Sequence, residues 1–280
     1  MSRRGATAGI TCALALLGAT GVARAEHLTR DYFLDAPPAG LWAHTDAFTL
    51  GGQASLEHRH EVDGDLTMLT TRVSGLASLG YGDVGAHADL RVALLSFGGS
   101  VGYRRTFRYY PVADGTTLTR DMRRRADAEK AYVGQGFPWA EARTRLVIPL
   151  ESLWLVTNYA LRKEDQPDVA FDWFHANVHD GGTLQKADAT LFFRHPKFGA
   201  VGPVVRWMSL PKGGGARQTE VAYGLTFGTR PGWKRGADLL LFQVLTVPKD
   251  EEFGFHVLRA PVYAMLVYRA TFDLWRPEGR

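Results

Sequence analysis

The sequence has few of the features by which several other classes of protein are recognised, such as cysteines, a strong net charge or long apolar runs. Its single cysteine, Cys12, lies close to the N-terminus, so the rest of the chain can form neither a disulfide framework nor a cysteine-based metal site. Lys plus Arg number 33 and Asp plus Glu number 29. No run of 18 apolar residues occurs beyond the N-terminal stretch, which excludes a bundle of membrane-spanning helices.

The first 25 residues have the three parts of a secretory signal peptide. Arg3 and Arg4 give a positive start, residues 8–22 are apolar or small, and residues 23–25 match the small-residue cleavage pattern. We therefore predict export with cleavage after Ala25. Cleavage would remove the cysteine and three arginines, leaving 30 basic against 29 acidic residues. A nucleic-acid partner is therefore not predicted.

The stretch 256–275 alternates apolar and polar residues with a period of two. Every even position from 258 to 274 is apolar, whereas Arg259, Arg269 and Asp273 fall on odd positions. Alternate side chains of a strand point to opposite faces, so one face is apolar and the other is mixed. Pro261 disfavours a helix. The stretch is also longer than a typical strand of a globular protein, which has about five or six residues.

The same alternation recurs along the chain, in residues 48–59, 84–95, 186–194 and 220–228. Strands of about ten residues that alternate in this way and are separated by turns are the signature of an outer-membrane barrel. A secreted antiparallel sandwich also alternates. Charged residues in mid-strand on the non-apolar face favour the barrel, because its lumen is polar.

We predict an all-β fold, an antiparallel transmembrane β-barrel of twelve strands, within a range of ten to fourteen. The predicted strands are 45–61, 66–78, 83–95, 99–111, 116–128, 141–150, 152–162, 183–195, 201–209, 217–229, 237–247 and 256–275. The alternation is poorest in 116–128, where four arginines are equally compatible with a helix in a loop. Long connections at 162–182 and 247–255 are expected outside, and short ones at 111–116, 195–201 and 229–236 inside.

With these features the chain resembles the bacterial outer-membrane β-barrel class. Aromatic residues near predicted strand ends add to the resemblance: Tyr103, Phe107, Tyr109, Tyr223 and Phe227. The resemblance covers residues 44–275, after a signal peptide (1–25) and a short periplasmic segment (26–43). It departs from the class at the end, where five residues follow Trp275. It implies a monomer in the outer-membrane lipid of a Gram-negative bacterium.

Charged residues are predicted to line the lumen. They share the non-apolar strand faces: His87, Asp89, Arg91, Arg143, Arg145, Lys186, Asp188, Arg194, Arg259 and Arg269. Such residues either neutralise one another and fill the barrel or form a charged constriction that selects solutes. The excess of Arg and Lys favours a narrow channel or transporter for small polar or anionic solutes, without a cofactor.

Two other functions remain open. No nucleophile–base motif is evident, so no catalytic residue is assigned, yet His175, His179 or His256 would serve as a base in a lipid-modifying barrel enzyme. Alternatively, a closed barrel presents the 162–182 loop to a partner. Its aromatic anchors would be Phe171, Trp173 and Phe174.

No metal is predicted from the histidines. His58 and His60 are two apart on one strand face, expected at the outer rim, and no third ligand accompanies them. His175 and His179 are four apart in a loop that also holds Asp172 and Asp180, but the ligand set is incomplete.

Overall fold

The computed structural model describes residues 39–48, 51–63, 67–112, 118–172, 175, 177–195, 199–229, 239–246 and 262–277. The predicted signal peptide, residues 26–38 of the predicted periplasmic segment, His256 and Arg259 lie outside these residues. Within this part of the chain, no helix has the length and apolar character needed to cross a membrane.

The described residues contain fifteen strands and one helix. In chain order these are β1 (Gly40–Phe48), β2 (Gly51–Asp63), β3 (Thr67–Ser78), β4 (Tyr81–Val92), β5 (Leu95–Thr106), β6 (Tyr110–Pro111), α1 (Arg120–Glu129), β7 (Gly136–Leu150), β8 (Leu153–Glu164), β9 (Ala170–Asp172), β10 (Asn177–His179), β11 (Gly182–His195), β12 (Gly199–Lys212), β13 (Ala216–Thr229), β14 (Leu239–Thr246) and β15 (Val262–Trp275).

Twelve of these strands form a closed antiparallel barrel. The order around the wall is β1, β15, β14, β13, β12, β11, β8, β7, β5, β4, β3 and β2, and β2 pairs again with β1. The last strand closes the barrel by pairing with the first, for example at Asp46 and Arg269. The predicted fold class and the strand number are therefore confirmed.

Two of the predicted strands were wrong. Residues 45–61 form parts of two strands, because the chain reverses between Phe48 and Gly51. Residues 116–128 include most of α1 and no strand, so the arginines there lie on a helix in a loop. The first error merged two strands into one and the second added a strand that does not exist, so the predicted total of twelve is still correct. The barrel also begins at Gly40, four residues before the predicted start.

The wall separates an apolar outer face from a polar interior. Large apolar side chains project outward and are exposed, as in Val84 (58%), Val101 (59%) and Tyr223 (51%). Their strand neighbours alternate with them and are far less exposed, and many are charged or polar. An exposed apolar band around a polar interior is the arrangement that lipid requires of a transmembrane barrel.

The two ends of the barrel differ in the length of their connections. At the end called here the short end, two-residue turns join β4 to β5 and β7 to β8, with Ala93 and Glu151 at positive φ. At the opposite, long-loop end, residues 107–135 and 165–181 connect β5 to β7 and β8 to β11. The prediction that 111–116 is a short inside turn was wrong, because β6 pairs with β9 of the other long loop.

Charge on the outer face should be far more destabilising than a change of charge inside. Val205 lies near the middle of β12, is 51% exposed and points outward. Val205→Arg should lower the free energy of unfolding in bilayers by about 2–4 kcal/mol, because the guanidinium would face hydrocarbon. Urea unfolding from lipid vesicles measures this, with Val205→Leu as the matched control. The side chain of Lys186 points inward, so Lys186→Leu should lower the free energy of unfolding much less. Equal losses of stability for Val205→Arg and Lys186→Leu would show that the assignment of these two side chains to the outer and inner faces is wrong.

Candidate functional site

The two long loops fold into one compact unit, called here the loop assembly: α1 with the three-stranded sheet β6–β9–β10. Tyr110 of β6 pairs with Phe171 of β9, and β10 pairs with the other edge of β9. The assembly has its own apolar core of buried residues: Tyr110, Val112, Leu118, Ala126, Phe171 and Val178. It is therefore an ordered cover and not a pair of independent loops.

Local sequence signals define α1. Thr119 caps its start, since its hydroxyl accepts a hydrogen bond from the N–H of Met122 at 3.2 Å. Lys130 ends it with a left-handed φ of 52°, donating its N–H to the carbonyl of Ala126. Asp127 joins the helix to the sheet by accepting hydrogen bonds from the hydroxyls of Tyr110 (3.0 Å) and Tyr132 (3.1 Å).

The assembly is hydrogen-bonded to the barrel mouth on the side of β12 and β13. The amide of Asn177 donates to the carboxylate of Glu220 at 2.5 Å, and the N–H of Asp180 donates to the carbonyl of Pro211 at 3.1 Å. The side-chain amide of Gln218 donates to the carbonyl of Val178 at 2.8 Å. These bonds fix β10 against the wall.

Where the assembly meets the other side of the mouth, four ionisable residues come together; they are called here the acid–histidine cluster. Glu164 ends β8, Asp172 ends β9, His175 lies in the following turn, and His179 ends β10. One ligand-type atom of each residue lies within 4.8 Å of the others. Glu164, Asp172 and His179 are fully buried, and the His175 side chain is 8% exposed.

Two arginines of the barrel wall hold the carboxylates of the cluster. Arg104 of β5 is fully buried and contacts Asp83 (2.9 Å), Glu164 (3.2 Å) and Asp172 (3.4 Å). Arg162 of β8 donates to Glu164 at 2.6 Å. Because charged hydrogen bonds in a buried site are strong and costly to break, these contacts fix the carboxylates in position.

A large aromatic ring positions Arg162. Its guanidinium lies 3.9 Å from the ring centre of Trp139 on β7, within the range of a cation–π contact. The indole occupies space that a side chain at residue 102 would fill, since a Cβ on Gly102 would come 2.4 Å from it. Glycine at this position is therefore required for the ring and, through the ring, for Arg162.

The environment drives the pKa values of the two cluster histidines in opposite directions. Burial lowers the pKa of His175, and the nearby Glu164 carboxylate offsets this only in part. Burial also acts to lower the pKa of His179, but its hydrogen bond to Asp172 and the charges of Asp172 and Glu164 outweigh burial, so that pKa is raised. For Asp172, the contacts with His179, His175 and Arg104 outweigh burial and lower the carboxyl pKa.

Below the loop assembly, the barrel encloses a cavity of about 540 Å³. Its cationic lining has eight members: Arg59, Arg72, Arg91, Arg143, Arg145, Arg162, Lys186 and Arg269. Its acidic lining has four: Glu57, Asp89, Glu141 and Asp188. His175 also lines it, so the cavity extends up to the acid–histidine cluster. The cavity therefore carries an excess of positive charge.

Several lining residues are paired within the barrel. Arg143 makes a two-point contact with Asp89, at 2.9 and 2.5 Å. A Cβ on Gly98 would lie 1.9 Å from the Asp89 carboxylate, so the pair needs glycine there. Arg269 holds Asp46 in the same two-point way, at 2.8 and 3.0 Å.

Two cations of the cavity have no carboxylate partner among the described residues. Arg72 of β3 makes no ion pair there, and its buried Nε has no hydrogen-bond partner. Lys186 of β11 makes no ion pair either, and its cross-strand neighbours are Ala160 and Met208. These two side chains therefore lack the close ion pairs of Arg143 and Arg269, although Glu57 is the cross-strand neighbour of Arg72 and Asp188 lies two residues from Lys186.

The structure places the predicted lumen residues as follows. Seven of them line the cavity: Asp89, Arg91, Arg143, Arg145, Lys186, Asp188 and Arg269. His87 points inward and bonds the hydroxyls of Ser74 and Ser100. Arg194 lies over the ring of Trp154, 5.2 Å from its centre. Arg259 lies outside the described residues.

The predicted partner-binding anchors and the histidine pair of β2 are placed differently from expectation. Phe171 is only 1% exposed because it packs in the core of the loop assembly, so it cannot act as a surface anchor. Trp173 and Phe174 lie outside the described residues. His58 and His60 are exposed and stacked, but lie toward the short end and not at the rim carrying the long loops.

Sequence reasoning missed Arg72, Arg104 and the place of Glu164. Arg72 and Arg104 fall on the inward register of predicted strands, and extending the alternation of β8 by two residues beyond Arg162 leads to Glu164. That signal was present. Nothing in the sequence indicated that Glu164 would meet Asp172 and the histidines of the loop.

No family model matches the chain, and no curated protein matches it significantly. Among solved structures, it is similar to LpxR from Salmonella typhimurium, with 10% identity and a TM-score of 0.41 over 84% of this chain and 100% of that chain. It is also similar to the translocator domain of autotransporter NalP from Neisseria meningitidis, with 11% identity and a TM-score of 0.35 over 94% and 96%. These values describe a shared barrel architecture and carry no argument about function.

Removing the buried guanidinium of Arg104 should unfold the mouth of the barrel. Arg104→Met leaves the carboxylates of Asp83, Glu164 and Asp172 without their shared cation, a loss of about 3–5 kcal/mol for a broken buried pair. Urea unfolding in detergent measures the change. Arg105→Met is the matched control, because Arg105 is exposed on the outer face and should change stability little. A small effect of Arg104→Met would show that the carboxylates are held otherwise.

Proposed function

We propose that the chain is an outer-membrane barrel that acts as a narrow, anion-preferring channel or transporter for small solutes. The observation that supports this most directly is the cavity of about 540 Å³ with eight cationic and four acidic lining residues. Cationic side chains that line a pore favour anions.

The paired residues contribute less to anion preference than the unpaired ones. Arg143 and Arg269 each face a carboxylate at close range, so their fields are largely cancelled within the wall. Arg72 and Lys186 are not cancelled in this way. A small anion that enters the cavity would supply the missing counter-charge, and these two side chains are where we expect it to bind.

The loop assembly limits the size of the solute. It is anchored to the mouth through Asn177 and Asp180 on one side and through the acid–histidine cluster on the other. A barrel of about eight strands is filled by side chains and one of about sixteen holds an aqueous channel. Twelve strands with an ordered cover therefore fit a small and selective passage.

Single-channel recording tests this function. The refolded chain in a planar bilayer should give a small, steady conductance whose reversal potential in a salt gradient shows anion preference. Arg72→Ala combined with Lys186→Ala should reduce the anion-to-cation permeability ratio several-fold, because two positive charges without a close ion pair are removed from the cavity.

The control is Lys163→Ala, which removes one positive charge from the outer face, where the side chain is 68% exposed. It should leave the selectivity unchanged. The absence of conductance in the wild type, or equal selectivity in the double variant and the wild type, would contradict the proposal. In that case the closed-barrel and lipid-modifying functions would be tested next, by partner capture through the loop assembly and by phospholipid turnover.

A further inference from the structure

We propose that Glu164, Asp172, His175 and His179 form a binding site for one divalent transition-metal cation of the Zn²⁺ type. This inference goes beyond the anion-preferring lumen and does not depend on it. Three independent features of the cluster support it: the spacing of the four side chains, the orientation of His179, and an unpartnered carboxylate oxygen.

The spacing is close to that of a tetrahedral site, because one ligand atom of each residue lies within 4.8 Å of the others. Zinc binds nitrogen and oxygen at about 2.0–2.2 Å, so neighbouring ligand atoms of a tetrahedron lie about 3.4 Å apart. In the cluster, the Nε2 of His179 is 3.3 Å from Asp172 Oδ2 and 3.9 Å from Glu164 Oε2. The Nε2 of His175 is 3.4 Å from Glu164 Oε1 and 3.6 Å from Asp172 Oδ2.

The orientation of His179 calls for a metal ion or a proton beside its Nε2. Its Nδ1 is 2.8 Å from the backbone carbonyl of Asp180, and a carbonyl can only accept, so Nδ1 carries the hydrogen. In the neutral ring, Nε2 then presents a lone pair toward the Asp172 carboxylate, which also can only accept. Two acceptors this close repel each other unless a metal ion or a proton lies between them. A carbonyl that fixes the tautomer is also the usual outer support of a metal-binding histidine.

The third feature is an oxygen without a partner. Glu164 is fully buried, and its Oε2 has no hydrogen-bond partner among the described residues. This oxygen lies near His179, whereas Oε1 is held by Arg104 and Arg162. Leaving a buried carboxylate oxygen unpaired is costly. Its position on the side of the cluster histidines makes it a suitable metal ligand.

The local charge also favours a divalent ion. Four carboxylates surround the site: Asp83, Glu141, Glu164 and Asp172. Among the described residues, the guanidiniums of Arg104 and Arg162 contact these carboxylates, and Arg143 also reaches Glu141 but is paired chiefly with Asp89. Within the part of the site that the structure describes, two negative charges remain when the histidines are neutral, and one divalent cation balances them.

The ligand types identify the class of metal and its role. Imidazole nitrogen suits zinc, copper, iron and nickel, whereas calcium and magnesium prefer oxygen alone. Four protein ligands leave no open position, which is typical of a structural site. One ligand comes from β8 and three come from the loop between β8 and β11, so the metal would fasten the loop assembly to the barrel mouth.

The experiment uses the full mature chain, refolded in detergent, stripped with EDTA and titrated with Zn²⁺. We expect one bound equivalent by elemental analysis and, with Co²⁺ as the probe, the intense visible absorption of a four-coordinate ion. His175→Ala should weaken Zn²⁺ binding by at least about 100-fold, since even the loss of an outer-shell partner costs about 10–100-fold. His179→Gln is the second variant if the first does not fold.

The control is the double variant His58→Ala and His60→Ala, which removes the exposed histidine pair of β2 and should leave the tight equivalent in place. Zn²⁺ should also slow proteolysis of the 165–181 loop in the wild type and not in His175→Ala. If the wild type binds no Zn²⁺ at micromolar concentrations, or if the bound equivalent survives His175→Ala and disappears with His58 and His60, the inference is wrong. In that case a proton on His179, and not a metal ion, lies between its Nε2 and the carboxylate of Asp172. Anion selectivity is measured separately, so the failure of one proposal is distinguishable from the failure of the other.

Discussion

The pairing of β1 with β15 closes the sheet, and the rest of the structure depends on that closure. Within lipid, every backbone N–H and C=O must find a partner in the protein, and a sheet meets this condition only when it has no edge. Closure also fixes which side chains face inward, because strand residues alternate between two faces. The apolar band, the charged cavity and the contacts beneath the loop assembly all follow from this one constraint.

Closure creates a second problem, which the interior solves with arginine. Buried carboxylates are destabilising without a partner, and guanidinium groups present several donors in a fixed geometry. Arg104 serves three carboxylates at once, while Arg143 and Arg269 each take one in a two-point contact. The glycines at 98 and 102 make room for this network. The interior network therefore requires small residues at these positions of the wall as much as it requires the charged ones.

The sequence predicted the barrel well because alternation is a local property that each strand carries by itself. The final strand illustrates this, since its apolar even positions pointed to the outer face before any pairing was known. The prediction failed where the alternation of side chains continues although the chain reverses its direction. Phe48, Leu50 and Gly52 keep the alternation across a reversal of the chain, so β1 and β2 were merged. In α1, the capping residue Thr119 was a better signal than the alternation.

The acid–histidine cluster was beyond prediction for a different reason. His175 and His179 drew notice by their spacing, but Asp180, grouped with them, uses its carboxylate to accept from the N–H of Gly181. The residue that completes the set is Glu164, fifteen positions before His179 in the numbering of the chain. Only the fold of the 165–181 loop brings the two together. Distances between side chains from different elements are not encoded in any local pattern.

The position of the cluster around the wall has a mechanical consequence. Its anchors belong to β4, β5, β7 and β8, whereas the seam between β1 and β15 lies almost diametrically opposite in the strand order. Across the seam, Arg269 contacts Asp46 and His44 contacts Thr271, in addition to the backbone pairing of the two strands, which has a register shift at Leu41 and Trp42. Separating β1 from β15 would break none of the ion pairs beneath the loop assembly. The ion-paired arc beneath the loop assembly is therefore held independently of the seam, which is closed by eight residue pairs and by the contact of Arg269 with Asp46.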